Sequence, residues 1–139
     1  MNTESKLKPS ELLEGLSHFH GSDVIYKVSP LFPGFCMTEG IRYLRKEAEC
    51  HWLIDDIAAL QLHPKIKTHP KLQQTQFWSL IAASDESAVL KCEWDIGKVV
   101  YRQKITWTDF PLDSIRIWVA NGFFSSGAPY RLAYLPSEH

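Results

Sequence analysis

The sequence predicts an α+β fold, with an antiparallel sheet of about five to six strands and a long helix and a short N-terminal helix packed on one face. Helical periodicity is confined to the first half of the chain, and alternating apolar residues dominate the second half. Short turns separate the alternating segments, as is typical of antiparallel sheets with helices on one side. The length of 139 residues and the 45% share of hydrophobic residues predict a single globular domain spanning residues 1–139.

The helices are predicted from their caps and apolar stripes. Ser10 is a plausible N-cap for the short helix, and Thr38 is a favourable N-cap for the main helix, whose pattern continues to about Leu62. Pro64 then ends the helix, because proline disfavours helical geometry in the residue before it. The main helix has two apolar faces, so we expect it either to lie between two layers or to kink near Cys50.

Alternating apolar residues predict the strands. They are expected within residues 24–28, 76–83, 90–94, 99–105, 115–119 and 130–134, with a turn at 21–23 and a surface loop at 65–74. The segment 76–83 is apolar on both faces, which is typical of a central strand. In the hairpin near Gly97, pairing Cys92 with Tyr101 and Trp94 with Val99 keeps the apolar residues on one face. That register predicts a connection with an even number of residues, although a bulge near Gly97 is an alternative.

Charge and cysteine content make several classes of protein less favoured. Fifteen basic residues face 16 acidic ones, so the composition lacks the basic excess typical of proteins that bind phosphate backbones. The polar start of the chain has no following apolar segment of the kind found in signal peptides, and no stretch is long enough to span a membrane. Cys36, Cys50 and Cys92 are widely spaced and predict reduced thiols, which indicates a cytoplasmic protein.

The main helix carries the best candidates for catalysis. Glu47, His51 and Asp55 are spaced at four-residue intervals, which places them along one side of a continuous helix. Such a set can bind a divalent metal or act as an acid/base pair. The structural alternative is an exposed Glu47–His51 pair and an Asp55 that needs a tyrosine, a tryptophan or a backbone amide as its hydrogen-bonding partner.

Other metal or cofactor sites have less support. His18, His20, His63 and His69 could bind zinc together with Cys36 or Cys50, but none of these pairs has the tight spacing of a structural zinc site. Phosphate-binding glycine motifs and a nucleophile elbow are absent from the sequence. We therefore predict no cofactor.

Two groups of residues are candidates for binding a partner. Phe123 and Phe124 lie in a segment rich in glycine and serine, where they either close over the core or anchor a partner protein. Arg102 and Lys104, with Lys91 opposite, could contact nucleic acid, although solvated charges on an outer sheet face are common. The favoured prediction is a non-catalytic protein-interaction module, with a homodimer as one form of it. The alternatives are an enzyme or metal-binding protein that uses Glu47, His51 and Asp55, and a nucleic-acid accessory factor.

Several short segments resemble a known family. Residues 35–44 (FCMTEGIRYL), 52–55 (WLID) and 135–139 (LPSEH), together with 19–22 (FHGS) and 77–80 (FWSL), resemble small uncharacterised bacterial proteins classed as a domain of unknown function. The family's usual ending has tyrosine where this chain has His139. The resemblance covers nearly the whole chain and implies one domain, without an activity, cofactor or catalytic residue.

Overall fold

A mixed sheet of seven strands forms the centre of the protein in a computed structural model that describes residues 7–21 and 24–139. Along the chain the strands are β1 (Ile25–Lys27), β2 (Phe35–Thr38), β3 (Thr75–Ala82), β4 (Ala88–Glu93), β5 (Val99–Ile105), β6 (Ser114–Phe123) and β7 (Pro129–Tyr134). Their order across the sheet is β1-β2-β7-β6-β3-β4-β5. β2 and β7 are parallel, and the other neighbours are antiparallel. The predicted α+β class is confirmed, but the predicted antiparallel sheet of five to six strands is wrong.

β2 is the strand that the sequence pattern did not predict. All four of its residues are buried, so the run has no polar–apolar alternation to indicate a strand. Its parallel partner β7 is far along the chain, with Phe35 opposite Arg131. A pairing between such distant segments leaves no turn signal in the local sequence.

The predicted long helix is two helices, α2 (Glu39–Glu47) and α3 (His51–Leu60). Thr38 caps α2 as predicted, because its Oγ1 accepts a hydrogen bond from the backbone N–H of Ile41 at 3.3 Å. Between the helices, Glu49 has a φ of 52°, a left-handed conformation that does not continue an α-helix. Of the two alternatives, the interruption near Cys50 is therefore the correct one, and it is a break between two helices. The prediction of one continuous long helix is wrong.

The short N-terminal helix α1 (Pro9–Leu16) begins earlier than predicted. Lys8, not Ser10, is the N-cap residue, and its backbone N–H donates a hydrogen bond to the Glu11 carboxylate at 2.9 Å. Leu12 and Leu16 are buried and attach the helix to the core. Of the turn predicted at 21–23, Ser22 and Asp23 lie outside the described residues.

The surface loop predicted at 65–74 is wrong, because this segment is ordered and partly buried. It contains the short helix α4 (Pro64–Lys67) and a 3₁₀ turn, Pro70–Leu72, in which Ile66 and Leu72 are buried. The side-chain amide of Gln73 stabilises the segment by donating to the carbonyls of Ile66, Lys67 and His69 at 2.8–3.1 Å. Ile66 and Leu72 lie six positions apart among polar residues, so the sequence showed no periodic pattern that would have predicted this packing.

One face of the sheet is buried against the helices and the other is partly exposed. Trp78, Leu80, Leu90 and Ile117 point into the core, whereas the alternate residues of the same strands are half-buried or exposed. Gln76 is fully buried on the core side. Its Oε1 accepts hydrogen bonds of 2.8 Å from Trp78 Nε1 and from the Gln61 amide. β3 is an interior strand as predicted, but only one of its faces lies in the core.

The β3–β4, β4–β5 and β6–β7 hairpins each have a three-residue connection, but the turn hydrogen bond differs in one of them. The Glu86 and Gly127 N–H groups donate to the Ala83 and Phe124 carbonyls, whereas in the β4–β5 hairpin the Lys98 N–H donates to the Asp95 carbonyl. In each, the last loop residue has a positive φ, and that residue is Glu86 (67°), Gly97 (74°) or Gly127 (89°). Cys92 faces Tyr101 as predicted, but Val99 pairs with Glu93 and not with Trp94. The predicted even-numbered connection is therefore wrong. The odd loop is compensated by a bulge at Val100, and the apolar residues of β4 and β5 stay on one face.

The segment after β7 returns to the start of α2. Glu138 lies in a 3₁₀ turn, Pro136–Glu138, and its carboxylate accepts hydrogen bonds from Thr38 Oγ1 (2.7 Å), the Leu135 backbone N–H (2.9 Å) and the Gly40 backbone N–H (3.3 Å). These residues belong to the 35–44 and 135–139 segments singled out in the sequence. The two segments thus meet in one hydrogen-bond network.

Among the described residues, each helix is too short or too polar to cross a lipid bilayer.

Candidate functional site

Glu47, His51 and Asp55 do not form a line along one helix. Glu47 is the last residue of α2 and His51 is the first residue of α3, so the break at residues 48–50 separates them. The four-residue spacing that suggested a common side applies only to a continuous helix. Within residues 7–21 and 24–139, no group of three or more His, Cys, Asp or Glu side chains is placed to hold a metal ion.

Asp55 is paired with Arg45 across the break between the helices. Arg45 Nη2 lies 3.5 Å from Asp55 Oδ1, and the two side chains are 17% and 45% exposed. Arg45 Nη1 also donates to the Val28 carbonyl at 3.4 Å. The expected hydrogen-bonding partner, a tyrosine, a tryptophan or a backbone amide, is wrong, because among the described residues the buried Oδ1 of Asp55 has this ion pair and no hydrogen bond. The pair links α2 to α3, which is a structural role.

His63 and His69 each cap a short helical segment. His63 Nδ1 and His69 Nδ1 accept hydrogen bonds from the backbone N–H groups of Lys65 and Lys71 at 3.1 and 3.2 Å, which caps α4 and the following 3₁₀ turn.

Cys36, Cys50 and Cys92 are all buried, and none of them forms a disulfide bond with another. Burial raises the pKa of the Cys36 thiol, and burial together with nearby Glu93 raises that of Cys92 to about 12. Because the thiolate is the reactive form, these shifts disfavour nucleophilic chemistry at Cys36 and Cys92.

Phe123 and Phe124 have different environments. Phe123 is the last residue of β6 and is 69% exposed, whereas the ring of Phe124 packs on Tyr130 with 4.7 Å between ring centroids. The sequence left open whether both rings close over the core or anchor a partner. Phe124 contributes to packing, and Phe123 remains accessible.

The open face, defined as the outward-pointing residues of β3, β4, β5 and β6, carries a row of cations that the sequence revealed only in part. The strand register places Arg102 opposite Lys91, Lys91 opposite Ser79, and Ser79 opposite Arg116. Arg102, Lys91 and Arg116 therefore lie in one line across four strands. Arg116 was missed because its position opposite Ser79 depends on the β3–β6 pairing, which the sequence does not specify.

Aromatic residues lie in the next row of the open face. Phe77 packs edge-on against Trp118 at 5.1 Å, and Trp118 packs edge-on against Tyr134 at 6.1 Å and His139 at 5.5 Å between ring centroids. Phe77 and Trp118 are only half-buried. This row gives the open face an apolar area beside its cations.

The open face also contains acidic groups and is concave. A depression of about 680 Å³ is lined by residues of both rows and by the β4–β5 turn. Glu93 accepts a hydrogen bond from the Gly97 backbone N–H at 2.9 Å, and Asp95 accepts one from the Ile96 backbone N–H at 2.8 Å. The arrangement combines positive charge, a few fixed carboxylates and aromatic rings.

These features define an α+β protein whose mixed sheet is covered by helices on one face and is open on the other. The chain belongs to a family of unknown function, DUF6876, whose model matches residues 10–139. The segments at 19–22, 35–44, 52–55, 77–80 and 135–139 lie within the matched region, so the predicted resemblance to a family of unknown function is confirmed. A search of curated proteins and a search of solved structures gave no significant match.

Proposed function

We propose that this protein is a non-catalytic protein-interaction module whose open face binds an acidic segment of a partner protein. The observation that carries the proposal is the row formed by Arg102, Lys91 and Arg116. A surface that brings three cations into line across a sheet favours a partner with complementary negative charge.

The spacing of the row suits an extended peptide. Neighbouring strands are about 4.8 Å apart, so the row spans roughly 14 Å from Arg102 to Arg116. In the part of the chain that the structure describes, none of these three cations forms an ion pair. Their charge is therefore available to a partner without the loss of an internal contact.

The rings beside the row supply the apolar part of the proposed interface. Trp and Arg are enriched among the residues that contribute most to binding energy, and Trp118 lies next to Arg116 on the open face. Ile81, which is 44% exposed, extends the apolar area on the other side of the row. We expect the partner segment to combine acidic and large apolar residues.

A protein partner fits the open face better than a nucleic acid. Glu93 and Asp95 line the same depression as Lys91 and Arg116 and interrupt its positive charge. A peptide can place its acidic residues beside the cations and apolar residues elsewhere, whereas a phosphate backbone carries a negative charge at every nucleotide. The rings of Phe77 and Trp118 pack edge-on against each other, whereas stacking on bases requires exposed ring faces. A homodimer formed through this face would bring two like-charged rows close together, so we propose a different protein as the partner.

Peptide selection on the immobilised protein tests the proposal. A random peptide library is selected against the wild type, and the recovered peptides are synthesised for affinity measurements. We expect Asp, Glu and aromatic residues to be enriched, and charge reversal in Lys91→Glu/Arg116→Glu to weaken binding at least about tenfold, as for close charge pairs elsewhere.

Lys46→Glu/Lys65→Glu is the matched control, because both lysines are exposed and lie on the helices. It should leave the affinity unchanged. Recovered peptides without acidic enrichment, or peptides that bind the open-face variant as tightly as the wild type, would contradict the proposal. Tighter, salt-sensitive binding of a 15-nucleotide oligo(dT) would favour the nucleic-acid alternative.

We also propose a cytoplasmic location. Cys36, Cys50 and Cys92 are buried, and no disulfide bond joins any two of them. Reduced, buried thiols are common in a reducing compartment. Detection of the protein in fractionated cells that express it from its own gene would test this point.

A further inference from the structure

A second depression lies on the helix side of the sheet, away from the open face. It has a volume of about 420 Å³ and is bounded by the segment before β2, the end of α3, α4 and the paired ends of β6 and β7. Apolar side chains form most of its wall, including Leu31, Phe32 and Leu62. Its volume is within the range of pockets that bind small molecules, about 300–1,000 Å³.

Arg131 supplies a cation to the wall of this cleft. Its guanidinium is half-buried and donates from Nη2 to Gln73 Oε1 at 2.9 Å. A guanidinium has five N–H donors, so most of its hydrogen-bonding capacity remains available. Among the described residues Arg131 has no ion-pair partner, and burial lowers its pKa without a compensating carboxylate.

The position of the guanidinium is fixed by its neighbours. The backbone N–H of Arg131 donates to the Gly34 carbonyl at 2.8 Å, and the Gln73 amide that holds the guanidinium is itself anchored to three backbone carbonyls. An arginine held in this way loses less side-chain entropy when its remaining donors bind a ligand. This is the arrangement expected of a preorganised anion site.

The other polar groups of the cleft favour an anion too. Lys67 is a second cation, and Gln61 and Asn121 add neutral amides. Of the described residues that line the cleft, none is an aspartate or a glutamate. Leu31 and Leu62, which are 82% and 69% exposed, present apolar surface at the rim.

We propose that the cleft binds a small carboxylic acid with an apolar body, whose carboxylate pairs with Arg131 and whose hydrocarbon contacts Leu31, Phe32 and Leu62. Arginine recognises a carboxylate through two parallel hydrogen bonds, which explains the choice of anion. The apolar wall supplies the hydrophobic part of the affinity. The cleft shares no lining residue with the depression on the open face, so tests of the two proposals are independent.

Titration of ¹⁵N-labelled protein with 3-phenylpropionate and octanoate tests the site. The matched neutral probes are 3-phenylpropionamide and octanamide, and acetate controls for the carboxylate alone. We expect both acids to shift the amide signals of Ala58 and Asn121, and both to bind at least about tenfold more tightly than their amides, because a hydrogen bond to a charged group contributes about 1.5–3 kcal/mol.

Arg131→Gln should abolish this preference for the acid over the amide. Lys67→Gln, on an exposed helical position, should weaken the acids only slightly, and it remains informative if Arg131→Gln fails to fold. Lys104→Gln on the open face is the control and should leave the affinities for acid and amide unchanged.

Equal binding of acid and amide, or shifts of amide signals outside the cleft, would overturn the proposal. Binding of a peptide through its free C-terminal leucine, without binding of either small acid, would overturn it as well.

Discussion

At the scale of single residues, Asp56 couples stability to pH. It lies on α3, where burial raises the pKa of its carboxyl group and a hydrogen bond from the Gln103 side chain partly opposes that shift. A carboxyl group with a raised pKa in the folded state binds its proton more tightly there than in the unfolded chain. The free energy of unfolding therefore decreases as the pH rises from the ordinary aspartate value through the raised one.

We predict that Asp56→Asn stabilises the protein at neutral pH. The substitution removes a charge that is unfavourable when half-buried, and the Asn side chain can still accept a hydrogen bond from Gln103. Urea unfolding of both proteins between pH 3 and pH 7 measures the difference, which should disappear below the ordinary aspartate pKa. A constant difference at all pH values would show that ionisation of Asp56 is not the cause.

Asp55 shows what residue patterns can and cannot predict. Its position near an apolar helix face predicted a hydrogen-bonding partner, whereas among the described residues its buried Oδ1 has an ion pair with Arg45 and no hydrogen bond. The identity of the partner depends on the angle between α2 and α3, which is determined by the left-handed backbone at Glu49. A glutamate gives little indication of a positive φ, because Gly and Asn are the usual residues there.

At the scale of elements, the three related hairpin turns provide an internal comparison. Gly97 and Glu86 are each the last residue of a three-residue connection, and both have positive φ. A Cβ at Gly97 would have no neighbour within 4 Å, so a substitution there tests backbone conformation alone.

We predict that Gly97→Ala lowers the free energy of unfolding by about 1 kcal/mol, the usual cost of a left-handed conformation for a residue with a side chain. Glu86→Gly should be neutral or stabilising by up to about 1 kcal/mol, since relief of that cost is offset by the greater entropy of glycine in the unfolded chain. Urea unfolding compares both variants with the wild type. Loss of stability in Glu86→Gly would indicate that the Glu86 side chain makes a contact that outweighs its backbone strain.

Most individual elements were predictable because each has a local pattern. The alternation of Leu90 and Cys92 and the cap at Thr38 depend on neighbouring residues, and the structure contains both features where they were expected. β2 was not predictable, because a short run buried on both faces resembles any apolar segment. The row of cations was predictable only in part for a different reason. Lys91 and Arg102 share a hairpin, but Arg116 joins them through the pairing of β3 with β6, which no local pattern specifies.

At the scale of the whole molecule, a hydrogen bond from the Gly40 backbone N–H to the Glu138 carboxylate joins two parts of the chain that are 98 positions apart. A Cβ at residue 40 would lie 2.6 Å from Glu138 Oε1 and 2.8 Å from Leu135 Cδ1. Gly40 is therefore required by close packing, not by its backbone angles.

We predict that Gly40→Ala lowers the free energy of unfolding by about 1–3 kcal/mol, the usual cost of overpacking. Glu138→Ala alone should lower it by about 1–3 kcal/mol, because the Thr38 and Gly40 donors lose their acceptor. The double variant should be less destabilised than the sum, since removal of the carboxylate makes room for the added methyl group. Urea unfolding of the wild type, both single variants and the double variant provides a double-mutant cycle. Strictly additive losses of stability would show that a methyl group at residue 40 does not contact the Glu138 carboxylate.

The place of β7 between β2 and β6 also has a consequence for folding during synthesis. The ribosome makes β2 early and β7 late, so the two parts of the sheet remain unjoined until β7 has left the exit tunnel. Pairings between distant segments are slow to form, and unpaired strand edges promote aggregation. We expect nascent chains that stop before Pro129 to depend on chaperones, and the completed chain to close its sheet in one late step.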